Sequence, residues 1–590
     1  INQRSRISQP VACPRGFYII DPVDRIEGHL RIEMEVKDGV VSEAWVSGGL
    51  FRGLELILEG REPTDAALIA ERICGVCPIS HCHTSVYAAE EAYGIKHPNG
   101  ARIVRNLAEG AQFMHSHILW FYQLSALDYV NPLHALEADP KAATEFALAN
   151  GLGVRDFGAV QKRLQKFAEN GQYSWLSGGW FLEGQAPEAY KLPAEVDLIA
   201  TAHYIEALDM QATADEIAAL IGGKMPHVMT SIPGGTSFVP SVEKLDDILD
   251  RARQLHEWVG EVMIPDAIAI AKVYLKDVAG IGNNKHGNFM AFGVFDRESR
   301  ELTDRYFPAG IVRMAGGTGA PVLEKYDGSK MTEETTHAYY ADDGKPLHPM
   351  DGVTVPPEKF PGYYKDEANE VVNDKYTWSK APRYLNDATG KREPMEVGPL
   401  ARVLVSYMSG NPEIIDGVNT VLKGVGLPIN AASISALNSA LGRLAARPIE
   451  AYAVSGYMQD WCHELVEVLK NPGDANPWFA KRVRDDGSGE GFWEAPRGAL
   501  YHCETIKGNK ITHYQAIVPT TWNISPRDVD DVPGTIEQGL IGVPIDNIEA
   551  PINALRVVHG YDPCVACAIH IVEPKTGHEF KTHMSPWGGR

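Results

Sequence analysis

The chain has 590 residues and a mass of 64.6 kDa, more than one hydrophobic core usually accommodates, so several lobes or one large interlocked unit are expected. Its 44% hydrophobic and 22% charged residues exclude a disordered, collagen-like or coiled-coil protein. The 77 acidic and 55 basic residues leave a net charge of −22 at pH 7, which argues against nucleic acid as a partner.

The N-terminal part of the chain is predicted to begin as a β-hairpin. Apolar and polar residues alternate over residues 30–47, with a turn at 37–39. A helical pattern then starts with Asp65 as its N-cap and runs towards Cys74. Long helical segments follow at about 99–130, 193–222, 241–275 and 430–470, so the centre of the chain is predicted to be mainly helical.

The second half of the chain changes character. Between about residues 276 and 400 it is rich in Gly, Pro, Asp and Tyr, with 325–398 the most irregular stretch, which predicts a surface lobe of loops and short strands. Short strands, for example at 511–518, lead into a final helix before Cys564. The predicted fold class is therefore α+β and mainly helical, with a central bundle of long helices, peripheral small β-sheets and one interlocked unit over 1–570.

No segment of the sequence predicts membrane insertion or export by the chain itself. It contains no uninterrupted apolar stretch of about 18 residues, and its first residues lack the charged-then-apolar pattern of a signal peptide. We therefore expect any membrane contact or export to occur through a partner protein.

Four of the eight cysteines form two CxxC pairs at opposite ends of the chain. They lie in residues 72–81 (RICGVCPISH) and 562–570 (DPCVACAIH), and 487 positions separate Cys77 from Cys564 (564 − 77). A structural zinc module usually takes both pairs from one short stretch, whereas here the ends of the chain must converge. Four thiolates form a soft site that suits nickel, iron or zinc.

This combination resembles the large subunit of nickel-iron hydrogenases of the uptake or respiratory type. The resemblance extends from Asp21 to the final tail. It includes four further blocks in the same order: 25–29 (RIEGH), 51–55 (FRGLE), 495–498 (APRG) and 518–523 (VPTTWN). It implies the catalytic subunit of a hydrogenase that cleaves or forms H2 heterolytically and exchanges electrons with an iron-sulfur small subunit.

The resemblance also implies the metal ligands. Cys74, Cys77, Cys564 and Cys567 are implied to hold nickel, with Cys77 and Cys567 bridging to an iron that carries two cyanides and one carbon monoxide. Cys564 is implied as the first proton acceptor and Glu27 as the next proton carrier. A carboxylate suits this role because burial can raise its pKa until it exchanges protons near neutral pH.

Further residues are implied to surround this centre. Arg497 is implied to lie over the diatomic ligands of the iron and to donate to one cyanide, and Thr520 to the other, with Pro496 nearby. Asp562 is implied to pair with Arg497, and His81 to hydrogen-bond a cysteine sulfur. The alternatives are ordinary structural roles, such as a surface cation for Arg497 or a turn cap for Asp562.

A second, smaller metal site is implied by the same resemblance. Glu55, His570 and a backbone carbonyl around Ala516 are expected to bind magnesium or iron, because an oxygen-rich octahedron suits magnesium. One departure concerns Ser116, in the segment 115–117 (HSH), where many members have a carboxylate. Ser116 cannot supply the negative charge that would pair with Arg497.

Partners and processing follow from the resemblance and the cysteine count. Iron-sulfur clusters normally take four thiolates, and Cys13, Cys82, Cys462 and Cys503 are isolated, so a cluster-bearing subunit is required. Beyond that subunit, a membrane cytochrome or quinone-linked acceptor is expected. A maturation endopeptidase is expected to remove residues 571–590 after nickel-insertion proteins have loaded the site. An export signal on the partner would place both subunits on the outer, periplasmic face of the cytoplasmic membrane, with the cytoplasm as the alternative.

Two other functions remain open from the sequence. The first is a structural four-cysteine protein that binds zinc. The second is a quinone-reductase subunit of the same ancestry that has lost nickel, and the presence of all four cysteines argues against it.

Overall fold

Long helices form the centre of the structure, a computed structural model that describes residues 11–12, 17–172, 189–357, 374–471, 476–547 and 550–565. Its α-helices are α1 (Leu54–Leu58), α2 (Pro63–Ala70), α3 (Pro78–Tyr93), α4 (Asn99–Leu119), α5 (Pro140–Asn150), α6 (Phe157–Glu169), α7 (Ala194–Gly222), α8 (Val242–Trp258), α9 (Ile264–Val278), α10 (Pro399–Met408), α11 (Pro412–Gly424), α12 (Ala431–Ser435), α13 (Ala440–Lys470), α14 (Pro519–Asn523), α15 (Thr535–Leu540) and α16 (Ile552–Gly560).

The strands are short and form several small antiparallel sheets. They are β1 (Val11–Ala12), β2 (Phe17–Ile20), β3 (Leu30–Lys37), β4 (Val40–Gly48), β5 (Ser231–Ile232), β6 (Gly235–Thr236), β7 (Asn288–Ala291), β8 (Gly310–Arg313), β9 (Val322–Glu324), β10 (Met331–Glu334), β11 (Ala381–Asn386), β12 (Lys391–Glu393), β13 (Gly487–Ala495), β14 (Gly498–Lys507) and β15 (Lys510–Ile517). The sheets have the orders β1-β2-β3-β4, β5-β6, β7-β8-β9, β10-β11-β12 and β13-β14-β15.

The predicted long helices are confirmed, and they pack on one another. Helix α13 contacts α4, α8 and α9, and α4 also contacts α7. The segment predicted at 241–275 is α8 and α9 joined by a π-helical turn at Val259–Met263. The predicted N-terminal boundary of α2 is wrong, because the helix begins at Pro63, which suits the first helical position, so that Asp65 lies in the first turn. The predicted bundle of long helices therefore forms the core.

The irregular region between 276 and 400 consists of short strands and loops, as predicted. Part of it is buried, however, so it is more than a surface lobe. Met290, Phe292 and Tyr384 are almost fully buried in one apolar cluster with Tyr501 and Trp522 of the C-terminal part. These contacts connect the strands of this region to the sheet β13-β14-β15.

Helix α3 packs against the sheet β13-β14-β15 at very close range. The approach depends on glycines in β13: a Cβ on Gly489 would lie 2.0 Å from the backbone oxygen of Ala88, and one on Gly491 would lie 2.1 Å from that of Thr84. Any side chain at these two positions would push the helix away. This contact fixes α3, which begins directly after Cys77, relative to the C-terminal sheet.

In the part of the chain that the structure describes, no helix combines the length and the apolar character that a membrane span requires.

Candidate metal centre

The first CxxC motif lies between two helical elements. A short 3-10 turn, Glu71–Ile73, follows α2 and leads into Cys74, which is extended, and Cys77 caps the N-terminus of α3. Pro78 occupies the first position of that helix, where a missing N–H costs nothing. The backbone N–H groups of Val76 and Cys77 both point to the sulfur of Cys74 at 3.2 Å. The turn thereby presents a sulfur stabilised by two donors.

The second motif follows α16 and lies beside the N-terminal segment. Cys564 and Glu27 form a parallel β-bridge, in which the N–H of Glu27 donates to the carbonyl of Pro563 at 3.3 Å. The N–H of Val565 donates to the carbonyl of Glu27 at 2.7 Å. The two ends of the described chain are therefore paired, as the separation of the cysteine motifs predicts.

Three of the four predicted cysteine ligands converge. The sulfurs of Cys74, Cys77 and Cys564 lie within 4.8 Å of one another, and those of Cys74 and Cys564 are 3.4 Å apart. All three side chains are buried. Cys567 lies outside the described residues, so its predicted role as the fourth ligand stays a prediction. A buried set of thiols at these separations can hold a soft metal ion.

Glu27 contacts the cysteine from which it was predicted to accept a proton. The thiol of Cys564 donates to Oε2 of Glu27 at 3.2 Å. Glu27 itself is half-buried. A carboxylate within hydrogen-bond reach of a thiol can take its proton directly, and partial exposure gives that proton a way out.

Arg497 and Asp562 are buried together next to the cysteines. Nε of Arg497 lies 3.0 Å from Oδ1 of Asp562. Burial alone lowers the pKa of Arg497, but Asp562 and the three cysteines outweigh it and raise that pKa well above its usual value. Nη1 of Arg497 is buried and has no hydrogen-bond partner among the described residues. The guanidinium therefore offers an unused donor beside the buried thiols.

Asp562 is shared with a second arginine that the sequence did not indicate. Nη2 of Arg447, from α13, donates to Oδ2 of Asp562 at 2.6 Å, and Nη1 donates to Nδ1 of His117 at 3.2 Å. Burial, together with the charge of Arg497, lowers the pKa of Arg447 to about 10. The carboxylate of Asp562 thus balances two buried guanidinium groups.

Beyond His117 the polar network continues to the segment that carries Arg497. Nε2 of His117 lies 3.1 Å from Glu450, which binds Arg402 through both carboxylate oxygens at 2.8 Å. Arg402 also donates to the carbonyl of Pro496 at 2.8 Å. The buried arginine of α10 therefore anchors the backbone directly before Arg497.

Ser116 adds no charge to this network. It is fully buried, and its hydroxyl oxygen has no hydrogen-bond partner in the described part of the chain. Its neighbour His115 lies close enough to Arg497 that burial, with the charge of that guanidinium, lowers the pKa of His115 to about 4. The negative charge opposite Arg497 therefore comes from Asp562.

Thr520 lies against the second cysteine motif. Its hydroxyl accepts a hydrogen bond from the backbone N–H of Cys564 at 2.9 Å. A hydroxyl that accepts in this way keeps its own hydrogen for a further acceptor. Thr520 begins the helix α14 with Pro519, so its position is fixed by that helix and by Cys564.

His81 differs from the prediction in its hydrogen-bond partner. Its Nδ1 lies 3.1 Å from Nε2 of His502, and its Nε2 has no partner among the described residues, so the predicted bond to a cysteine sulfur is not found there. Burial lowers the pKa of His81 to about 4, and the nearby sulfur of Cys74 opposes that shift. His81 is therefore a neutral imidazole close to Cys74.

The predicted second metal site is described only in part. Oε1 of Glu55 accepts from the backbone N–H of Ala516 at 3.2 Å, so these residues are neighbours through the N–H rather than the carbonyl. The hydroxyl of Thr354 donates to Oε2 of Glu55. His570 lies outside the described residues, as do 571–590, so the site and the removal of the tail stay predictions.

Comparisons with known proteins agree with one another. The sequence model of the nickel-dependent hydrogenase family matches residues 52–570. The uptake hydrogenase large subunit of Rhizobium leguminosarum bv. viciae is 38% identical, covering 96% of this chain and 98% of that protein. The hydrogenase-1 large chain of Escherichia coli K12 is 35% identical, covering 94% and 95%. The solved Ni-Fe-Se hydrogenase of D. vulgaris Hildenborough superposes with a TM-score of 0.74 at 32% identity, covering 94% of this chain and 99% of that chain.

Proposed function

Because the chain belongs to the nickel-dependent hydrogenase family, we propose that it is the large subunit of a hydrogenase, which cleaves or forms H2 at a nickel-iron centre. The observation that carries this proposal is the buried cluster of Cys74, Cys77 and Cys564, with Glu27 bound to one of its thiols. A structural metal site needs four ligands, but it does not need a carboxylate that is hydrogen-bonded to one of them.

The donor set fits the expected metals. Thiolates are the ligands that soft and borderline metals select, and Cys567 would complete the set in the same CxxC spacing. When bound there, a nickel-iron centre would supply the heterolytic cleavage of H2 into a proton and a hydride, whose oxidation releases two electrons and a second proton. The role of the chain is to hold the sulfurs in a dry pocket and to carry the protons away.

Protons leave through Cys564 and Glu27 in this proposal. The thiol of Cys564 gives its proton to Oε2 of Glu27, 3.2 Å away, and no heavy atom has to move. The β-bridge between the two residues keeps their backbones in register, so the sulfur and the carboxylate stay within reach. Glu27 then passes the proton towards the surface from its half-buried position.

The unused donors around the cysteines support an iron with diatomic ligands. Nη1 of Arg497 and the hydroxyl hydrogen of Thr520 would each donate to one cyanide of an iron that also carries carbon monoxide. Cys77 and Cys567 would bridge the two metals. Glu55, Ala516 and His570 would bind magnesium or iron in the second site.

Membership of this family implies a small-subunit partner, and we propose that this subunit carries iron-sulfur clusters. We propose that electrons pass through it to a membrane cytochrome or a quinone-linked acceptor, and that its export signal brings both subunits to the outer face of the cytoplasmic membrane. A maturation endopeptidase would remove residues 571–590 after nickel insertion. These assignments rest on the resemblance of the large subunit to uptake hydrogenases.

Metal analysis and infrared spectroscopy of the protein produced with its small subunit test the proposal. One nickel per heterodimer, iron in excess of nickel because of the clusters of the small subunit, and absorption bands of metal-bound cyanide and carbon monoxide are expected. Stoichiometric zinc without those bands would instead establish the structural zinc site and refute the hydrogenase assignment.

The proton route is tested by Glu27→Gln. We expect H2 oxidation in solution to fall on the order of 10²- to 10⁴-fold, because the amide cannot accept the proton of Cys564. The cyanide and carbon monoxide bands should remain, since the metal ligands are unchanged. Glu35→Gln is the matched control, because this half-buried carboxylate lies in β3, eight residues beyond Glu27 (35 − 27), and bonds to Lys37 at 3.0 Å. Unchanged turnover in Glu27→Gln would refute the route.

A further inference from the structure

A second chain of hydrogen-bonding groups starts at the metal centre, on the sheet that packs against α3. His81, on α3, is close to Cys74 and bonds to His502 of β14 at 3.1 Å. Nδ1 of His502 lies 2.6 Å from the hydroxyl of Tyr514 on β15. These three side chains are buried, so two imidazoles and a phenol lead from Cys74 into the interior of the sheet.

The close packing of α3 on β13 creates this arrangement. Gly491 stands opposite His502 in the sheet, and Gly489 stands opposite Glu504. Because neither glycine has a side chain, α3 lies directly on this face, and His81 reaches the ring of His502 with 5.3 Å between ring centroids. The face that carries His502 and Glu504 is therefore closed to bulk water.

Glu504 is the next ionisable group along that face. It pairs with Tyr514 in the β14-β15 register, which places the two side chains on the same side with their β-carbons about 5 Å apart. Glu504 is fully buried, and neither of its carboxylate oxygens has a hydrogen-bond partner among the described residues. An unpaired buried carboxyl costs stability, so its presence calls for an explanation, and a role in proton transfer is one.

The surroundings of Glu504 leave it protonated near neutral pH. Burial alone raises its pKa to about 8. The ionisable groups that face it are Tyr514 from β15, Tyr93 from α3 and His502 from its own strand, while β13 contributes only Gly489. Burial, with the charge of Glu504, raises the pKa of Tyr514 well above its usual value, so this phenol keeps its proton and can both donate and accept.

This series of hydrogen-bonding groups also approaches the surface of the protein. The hydroxyl of Tyr93 donates to the side-chain oxygen of Asn509 at 2.8 Å. Burial, with a smaller contribution from Glu504, raises the pKa of Tyr93 to about 12. Asn509 is half-buried in the turn between β14 and β15, next to the exposed Gly508 and Lys510. A proton held at Glu504 is therefore separated from solvent by Tyr93 and one turn of the sheet.

We propose that His81, His502 and Tyr514 form a second proton relay, separate from Glu27, and that Glu504 is the carboxyl that receives the proton. This inference rests on the proposed hydrogenase function. Each step moves one proton and no electron. A proton arriving at Nε2 of His81 releases the Nδ1 proton to Nε2 of His502, whose Nδ1 proton passes to the hydroxyl of Tyr514. The hydroxyl proton of Tyr514 passes to the carboxylate of Glu504, its partner in the β14-β15 register.

The test compares pH profiles of the complete enzyme with its small subunit. A carboxyl with a pKa of about 8 is about one-tenth ionised at pH 7 and about nine-tenths ionised at pH 9. The fraction of enzyme molecules in which Glu504 can accept a proton should therefore rise roughly tenfold over that interval. Because Glu27 carries most of the protons in the wild type, we expect this rise in the residual H2 oxidation of Glu27→Gln, measured with an artificial acceptor dye. The rise should be lost when Glu504→Gln or Tyr514→Phe is added to Glu27→Gln. Glu490→Gln is the matched control, because Glu490 belongs to the same sheet but pairs with Cys503 on the opposite face.

An infrared measurement provides a readout that a structural role would not change. On exposure of the enzyme to H2, the carbonyl band of a protonated carboxyl should appear or shift, respond to D2O, and be absent in Glu504→Gln. Glu504→Leu, which suits the apolar surroundings, serves if the glutamine variant does not assemble. The relay is refuted if the Glu504 and Tyr514 replacements leave both the pH profile of Glu27→Gln and the carboxyl band unchanged while the enzyme remains active. Loss of all hydrogen turnover and of the cyanide bands in the wild type would instead refute the hydrogenase function itself.

Discussion

Replacement of Asp562 by asparagine should destabilise the protein strongly, because this carboxylate neutralises two buried guanidinium groups. Asp562 lies 2.6 Å from Arg447 and 3.0 Å from Arg497, and all three side chains are at most about 2% exposed. Breaking a buried ion pair by removing one partner typically costs about 3–5 kcal/mol. The pKa of Arg447 is already lowered to about 10 by burial and the neighbouring arginines, and loss of Asp562 lowers it further, at about 1.4 kcal/mol per pKa unit.

The assay is the free energy of unfolding of the metal-loaded heterodimer in urea at pH 7. We expect Asp562→Asn to lose about 3–5 kcal/mol. The double variant Asp562→Asn with Arg447→Met should recover part of this loss, because it removes the second unpaired charge. Asp343→Asn is the control: this carboxylate pairs with Lys345 in solvent, so stability should not change measurably. A loss below about 1 kcal/mol, or a double variant less stable than the single one, would refute the shared-carboxylate explanation.

Three further predictions follow from the packing of the site. Gly491→Ala should displace α3, because the added Cβ would lie 2.1 Å from a backbone oxygen of that helix. We expect the free energy of unfolding to fall by about 1–3 kcal/mol and the nickel content to fall with it. Gly280→Ala is the control, because its Cβ would meet open space. Thr520→Val leaves the buried N–H of Cys564 without its acceptor and should cost about 1–3 kcal/mol in urea unfolding, with Thr520→Ser close to wild type. The stability advantage of Glu504→Leu over wild type should grow as the pH rises from about 4.5 to about 8. Over that range the carboxyl of Glu504 ionises in the unfolded wild type, whereas in the folded protein its raised pKa keeps it protonated. Equal stability differences at pH 4 and pH 8 would contradict this explanation.

The long helices and the convergence of the chain ends were predictable because each depends on a strong local signal. Apolar residues at three-to-four spacing indicate α4, α7 and α13, and the two CxxC motifs make sense only if they share a metal. Helix boundaries were less certain. Glu62 flanks a helix that starts at Pro63, and propensity alone did not separate this start from one at Asp65.

The outer contacts of the site could not be predicted from local pattern. Arg447 is the eighth residue of the 31-residue helix α13, and an arginine inside a helix is typical of a solvated face. Only the tertiary structure places it on Asp562, 115 positions away. Likewise, nothing around His502 indicates that it is the partner of His81, since the two residues are 421 positions apart. The glycines of β13 were the available signal, because alternate glycines in a strand mark a close backbone approach.

The β-bridge between Glu27 and Cys564 has a consequence for biosynthesis. Glu27 leaves the ribosome 537 residues before Cys564, which at about 5–20 residues per second is roughly half a minute to two minutes earlier. During that interval the N-terminal sheet can fold, but its edge at Glu27 has no neighbour, and Cys74 and Cys77 have no opposing sulfur. The metal site is therefore completed last, and a chain truncated between Cys77 and Cys564 leaves two thiols and a carboxylate exposed.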